Sequence, residues 1–156
     1  MAIVLPDHNL MIVEFPRTGT TWLRKTLKEL NVPREILLPK VKNVCPRHSP
    51  ASCYEWTGPC AVVHREVEDW LGSMWRFHYQ RGQGKLSSPV RYWFEFLMPF
   101  DKNYATWRKK INLNEVNEYF ALMTAGCHVV EFGGFQDWVE ELLGVPVPKD
   151  RVNCSR

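Results

Sequence analysis

The chain has 156 residues, of which 45% are hydrophobic and 24% charged. That is the make-up of an ordinary globular protein, and one domain, residues 1–156, is the natural reading of the length. The net charge of +3 is mild, and the basic residues are scattered apart from Arg108-Lys109-Lys110, so no nucleic-acid partner is expected.

The first apolar residues are broken by Asp7 and His8, which is not a secretory signal. No apolar run reaches the ~20 residues that cross a bilayer. A soluble, cytoplasmic protein with no membrane partner is the expectation. The five cysteines form no CxxC pair, and an odd count without a secretion signal favours free thiols. Seven tryptophans imply a core built on large rings, or rings at a binding surface.

In chain order, Leu10 to Phe15 is an apolar run broken only by Glu14 and reads as a buried strand. Pro16-Arg17-Thr18-Gly19-Thr20-Thr21-Trp22 follows as a tight loop. Trp22, Leu23, Thr26, Leu27 and Leu30 then repeat at helical spacing, ended by Asn31 and Pro33. Residues 33–60 are proline-rich loop, with a short strand predicted over Val41 to Val44. Ala61 to His64 reads as a second buried strand and Glu66 to Gln80 as a helix carrying Trp70, Met74 and Phe77 on one face. Arg81 to Gly84 is a turn. Ser88-Pro89 opens further helical pieces, broken near Pro99 and Asn112. Val129 to Phe132 is a third strand, and Phe135 to Leu143 a last helix ended by Gly144. Strands alternating with helices imply an α/β fold, a small, mainly parallel sheet flanked by helices.

The loop from Pro16 to Trp22 carries the functional argument. A strand–loop–helix unit presents unpaired backbone N–H groups and the positive end of a helix dipole, which bind phosphate. Arg17 adds a fixed charge, and Thr18, Thr20 and Thr21 add hydroxyls. Against the nucleotide-hydrolase loop G-x-x-x-x-G-K-[ST], Gly19 aligns with the second glycine, Glu14 replaces the first and Thr20 replaces the lysine. The lysine that reaches the β- and γ-phosphates is missing, which argues against a nucleotide kinase or triphosphate hydrolase. A single phosphate or phosphosulfate fits better.

At these residues the chain resembles the sulfotransferase family that uses 3′-phosphoadenosine 5′-phosphosulfate (PAPS). The family's P-[KR]-[ST]-G-T-T-W is matched at every position from Pro16 to Trp22. The arginine form resembles the tyrosylprotein and many bacterial members. The resemblance implies a P-loop-like sulfotransferase core. It implies that Thr18, Gly19, Thr20 and Thr21 hold the 5′-phosphosulfate, that Arg17 contacts the transferring group, and that Trp22 stacks on adenine.

A second segment, Arg65-Glu66-Val67-Glu68-Asp69-Trp70-Leu71-Gly72-Ser73, is similar to the family's R-x-x-x-D-x-x-x-S, in which arginine and serine grip the 3′-phosphate. Weaker echoes are Asn103 to Trp107 (Y-G-S-W), Val130-Glu131-Phe132 before the last helix, and Asn153-Cys154-Ser155 (N-x-S). The chain departs from the family in its short length, in lacking R-K-G-x-x-G, and in carrying Glu66-Val67 where Asn-Pro is usual. Glu66 sets a negative charge beside the expected phosphate site, for which Arg76, Arg151 and Arg156 are candidate offsets.

Sulfuryl transfer needs in-line placement, neutralisation of the leaving phosphate and a base for the acceptor proton. Arg17 suits the second task because it stays charged. His48, on a loop after a predicted strand, is the first choice of base. Glu35 occupies the place of the glutamate used by tyrosylprotein-type members and stays open as an alternative. His64 reads as a core histidine, and His78 is undecided.

A structural zinc on Cys45, His48, Cys53 and Cys60 (C-x₂-H-x₄-C-x₆-C) would remove His48 from catalysis, but the spacing matches no common knuckle and no metal is expected. The expected function is PAPS-dependent transfer to a hydroxyl or amine of a small-molecule or peptide acceptor. A non-catalytic nucleotide-binding or interaction module of the same fold is the alternative.

Overall fold

The alternation of inward residues along the first fifteen positions sets the architecture. Ala2 and Val4 face one way and Ile3 and Leu5 the other, and all four are buried. A strand buried on both faces must lie inside a sheet covered on two sides. The computed structural model, which describes residues 1–40, 48–80 and 101–149, has that arrangement. Among the described residues, strands β1 (Ala2–Leu5), β2 (Leu10–Val13), β3 (Glu35–Leu37), β4 (Cys60–His64) and β5 (His128–Glu131) form one sheet in the order β3-β1-β2-β4-β5.

β2, β4 and β5 run parallel, Met11 beside Cys60 and Ala61 beside His128. β1 is antiparallel to both β2 and β3. The sheet is therefore mixed, where strand–helix alternation implied a mainly parallel one. The reason is the segment before Leu10. The first apolar residues are an internal strand, and the link from β1 to β2 is a single 3-10 turn, Pro6–His8, closed by Asn9 at φ 47°. So short a link permits only antiparallel pairing.

Helices α1 (Thr20–Glu29), α2 (Val67–Gln80), α3 (Tyr104–Lys110), α4 (Leu113–Thr124) and α5 (Phe135–Leu143) cover the sheet. α1 and α5 pack Leu23, Leu27, Phe135 and Val139 on the face carrying Ile3, Ile12, Ala61 and Val63. α2, α3 and α4 pack Trp70, Trp107 and Phe120 on the face carrying Val4, Met11, Val13 and Val62. Trp70 and Trp107 serve the core. Both are fully buried, and the Trp70 ring meets Phe120 edge-on at 5.2 Å and stacks on Phe15 at 5.9 Å.

Helix ends follow the sequence signals. Asn103 and Asn112 accept N–H bonds at the starts of α3 and α4, and Gly144 closes α5 at φ 66°. Among the described residues no helix is long and apolar enough to cross a membrane. The expected strand over 41–44, the turn at Arg81 to Gly84, the helix start at Ser88, the Pro99 break, and Cys45, Arg151, Arg156 and Asn153 to Ser155 lie outside the described residues, as does the His78 side chain.

The parallel pair β2–β4 brings two strand ends to one edge of the sheet. β2 runs into the 14–19 loop and α1, and β4 runs into Arg65 and α2. One buried ion pair fixes the first of these turns. The Glu14 carboxylate has 0% exposure and accepts two hydrogen bonds from Arg24, at 2.5 and 2.7 Å from Nε and Nη2. A buried carboxylate stripped of its partner is strongly unfavourable, whereas an apolar replacement of both members is tolerated.

Arg24→Ala is expected to lower stability by about 2–4 kcal/mol, less than for a sealed pair because 31% of the Arg24 side chain stays in water. The melting temperature in a circular dichroism scan should fall by roughly 5–15 °C, and the Glu14→Leu/Arg24→Met double variant should recover most of the loss.

Candidate anion-binding site at the carboxyl ends of β2 and β4

Backbone carbonyls repel an anion, so a loop that binds one must turn them away or occupy them. Here four consecutive carbonyls each meet a side-chain donor. The Glu14 carbonyl lies 3.1 Å from His48 Nδ1. The Phe15 carbonyl accepts from the Thr18 hydroxyl at 2.7 Å and the Pro16 carbonyl from the Trp70 indole N–H at 2.8 Å. The Arg17 carbonyl accepts from Arg65 Nη1 at 3.3 Å.

The turn that achieves this needs two left-handed residues, Arg17 at φ 61° and Gly19 at φ 89°. Glycine takes that conformation freely. For arginine it is strained by about 1 kcal/mol or more, a cost that concentrates at ligand sites. Gly19 is the N-cap of α1, and its carbonyl accepts the Leu23 N–H at 3.0 Å. The first N–H groups of α1 therefore open beside Arg17.

The two guanidinium groups are held by contacts from separate elements. Arg17 donates from Nε to the Ser73 hydroxyl at 3.2 Å and lies 4.8 Å from the centre of the Phe77 ring. Arg65 lies 4.5 Å from the centre of Phe132, just past the end of β5. Each stack is a cation–π contact that orients a planar fork. Together they bring Arg17, Thr18, Gly19, Thr20, Thr21, Arg65, Ser73 and His48 to one edge of the sheet. That edge is the place where open α/β sheets bind ligands.

The expected roles meet this geometry unevenly. The Thr18 hydroxyl is used inside the loop, Thr20 is buried at the first turn of α1, and Thr21 is exposed. Trp22 is only 7% exposed. Its indole N–H donates to the Pro148 carbonyl at 3.2 Å and its ring meets Phe135 edge-on at 5.4 Å, so it belongs to the packing between α1 and α5. Ser73 is fully buried beneath Arg17. Glu66 is exposed at the start of α2, and Arg76 is exposed further along it.

His48 is half-buried at the loop. A carbonyl only accepts, so the bond to Glu14 places a hydrogen on Nδ1; in the neutral ring the lone pair is then on Nε2, the tautomer a base needs. Glu35 is not brought in. It pairs with Val4, which pairs with Met11, so it sits two strands away and near the opposite end of β2. His64 pairs with Glu131 across β4–β5 at 3.2 Å and meets Phe120 edge-on, so it is a partly exposed sheet-edge histidine, not one sealed in the core.

The zinc ligand set is not assembled among the described residues. Cys60 lies at the start of β4, level with Met11, whereas His48 lies beyond the far end of β2. Cys60 instead donates to the Gly126 carbonyl at 3.1 Å. Burial and the neighbouring Cys60 push the Cys127 thiol up to about 12, so it stays protonated at neutral pH. No three His, Cys, Asp or Glu side chains among the described residues cluster as a metal site.

Sequence reasoning missed Glu14, Arg24, Phe77 and Phe132. Glu14 was visible as the lone acid in an apolar strand, but nothing local paired it with Arg24. Comparison of the chain with protein-family models, curated proteins and solved structures gives no match.

The tautomer is testable directly. A long-range ¹H–¹⁵N spectrum at pH 8 is expected to show His48 Nδ1 protonated and Nε2 bare.

Proposed function

We propose that this chain is a sulfotransferase that binds PAPS at the 14–19 loop and transfers its sulfuryl group to a hydroxyl or amine acceptor by in-line displacement. The single observation that carries the reading is the meeting of Arg17 and Arg65, from two sequence segments 48 positions apart, at one loop whose carbonyls are already occupied. Two fixed cations and a helix N-terminus suit a ligand with two separate anionic ends. The one carboxylate inside the loop segment, that of Glu14, is held away by Arg24.

PAPS, when bound, supplies an activated sulfuryl group and a phosphate leaving group. The chain's part is then positioning and charge. The N–H groups at the start of α1, with Arg17, hold the 5′ end and balance charge on the leaving phosphate. Arg65 holds the 3′-phosphate from the end of β4. His48 Nε2 takes the acceptor's proton, with Nδ1–H anchored on the Glu14 carbonyl. A cytoplasmic setting and a small-molecule or peptide acceptor complete the proposal.

Calorimetric titration with adenosine 3′,5′-bisphosphate and adenosine 5′-monophosphate tests the binding half. Arg65→Ala should weaken the bisphosphate about 10- to 100-fold and the monophosphate far less; equal losses would remove Arg65 from the 3′ end, and no binding of either nucleotide by the unaltered chain would sink the reading. With radiolabelled PAPS and a panel of phenol and amine acceptors, Arg17→Ala should cut transfer by about 10²- to 10³-fold. His48→Ala should lower turnover and leave nucleotide affinity within twofold. Tight binding of the bisphosphate with no transfer to any acceptor would instead mark a non-catalytic nucleotide-binding module.

A further inference from the structure

We propose that Cys60 and Cys127 are a modification site, a thiol pair that a low-molecular-weight disulfide oxidises to a reversible disulfide fastening β5 to β4. The inference lies outside the sulfotransferase reading and does not rest on it. Three observations carry it. Ala61 stands beside His128 in the parallel β4–β5 pair, so Cys60 and Cys127, one position earlier in each segment, stand beside one another. Both side chains pack against the same core cluster, so they leave the sheet on one face. The two thiols are in hydrogen-bond contact, and Cys60 also donates to the Gly126 carbonyl at 3.1 Å, one residue before its partner.

Neighbouring strands lie about 4.8 Å apart, within the roughly 4.4–6.8 Å between Cα atoms that a disulfide spans. Both cysteines are half-buried, which leaves a small reagent a path to them. The third described cysteine, Cys53, lies in the 51–53 turn with the Ser52 side chain at its thiol. The pair also sits where a bond would act. Among the described residues β5 is the outermost strand on its side of the sheet, paired with β4 alone. An outermost strand opens more readily than those inside. A disulfide at its amino end would hold it shut.

The exchange balances in two steps. Cys127 stays protonated at neutral pH, so Cys60 attacks first. Cys60 gives its proton to water and bonds one sulfur of the reagent R–S–S–R. The reagent's S–S bond breaks, and the released R–S⁻ takes up a proton. Capping Cys60 removes its share of the effect that keeps Cys127 protonated. Cys127 then gives its proton to water, attacks the Cys60 sulfur and displaces the second R–S⁻, which is protonated in turn. Two protein thiols are oxidised and one reagent disulfide is reduced to two thiols. Excess thiol drives both steps backward.

The test treats the full, folded, reduced chain with glutathione disulfide, alkylates the remaining thiols and maps the peptides by mass spectrometry. The expected product links Cys60 to Cys127, has lost two hydrogens, and reverts with dithiothreitol. Its melting temperature should rise by roughly 5–15 °C, with slower amide exchange in β5. Cys127→Ser should instead keep a glutathione adduct on Cys60 and show no such rise, and Cys53→Ser should respond like the unaltered chain. The mapping needs no variant, so it decides the matter even if a substitution unsettles the fold. Glutathione adducts on the unaltered chain without the Cys60–Cys127 link, or links that engage Cys45, Cys53 or Cys154 in its place, would overturn the proposal. A linked pair with melting and β5 exchange both unchanged would overturn it as well.

Discussion

Four occupied carbonyls in a row, from Glu14 to Arg17, are the constraint around which this molecule is arranged. A buried backbone oxygen needs a donor, and a loop between a strand and a helix has no ladder to supply one. The donors come from His48 on the proline-rich segment, Thr18 in the loop itself, Trp70 on α2 and Arg65 at the end of β4. Three separate stretches of chain thus meet at one turn. The turn holds the left-handed Arg17 because its surroundings over-determine it, which is the usual condition for strain to persist in a folded protein.

That convergence depends on parallel pairing. β2 and β4 lie side by side and point the same way, so the segments that follow them, residues 14–19 and 65–73, leave the sheet at one edge. Had β4 been antiparallel to β2, Arg65 would lie at the far end and could not reach the Arg17 carbonyl. The same register separates other residues that sequence proximity had grouped. Cys60 and His48, 12 positions apart, are at opposite ends of the sheet, and Glu35 lies beyond β1. Spacing along the chain carries no record of which end of a strand a residue occupies until the pairing is known.

Much of the frame was legible for a physical reason. α1, α2 and α5 carry strong 3.6-residue periodicity with recognisable ends, and β4 and β5 are short apolar runs set between helices. β3 escaped because three residues are too few to show a period, and β1 because, unlike β4 and β5, it is not set between helices. The tryptophans were legible as bulk but not as donors. Trp70 packs like any core ring, yet its single N–H is what closes the Pro16 carbonyl. Within the site, the charges were readable as types. Their partners were not, since Phe77, Phe132 and Ser73 act on Arg17 and Arg65 through space.

The three arginines at this edge show how partner chemistry divides labour. Arg24 meets a buried carboxylate with two short bonds, and the pair is a neutral unit that fastens α1 to β2. Arg17 and Arg65 meet a hydroxyl, a carbonyl and two aromatic rings, groups that orient a guanidinium. Were Glu14 free to swing toward Arg17, the loop would carry its own counter-ion and its attraction for a phosphate would be spent internally. The Glu14–Arg24 pair is thus more than a fastening. By committing the one buried acid of the loop to the helix, it removes that carboxylate as a counter-ion for Arg17.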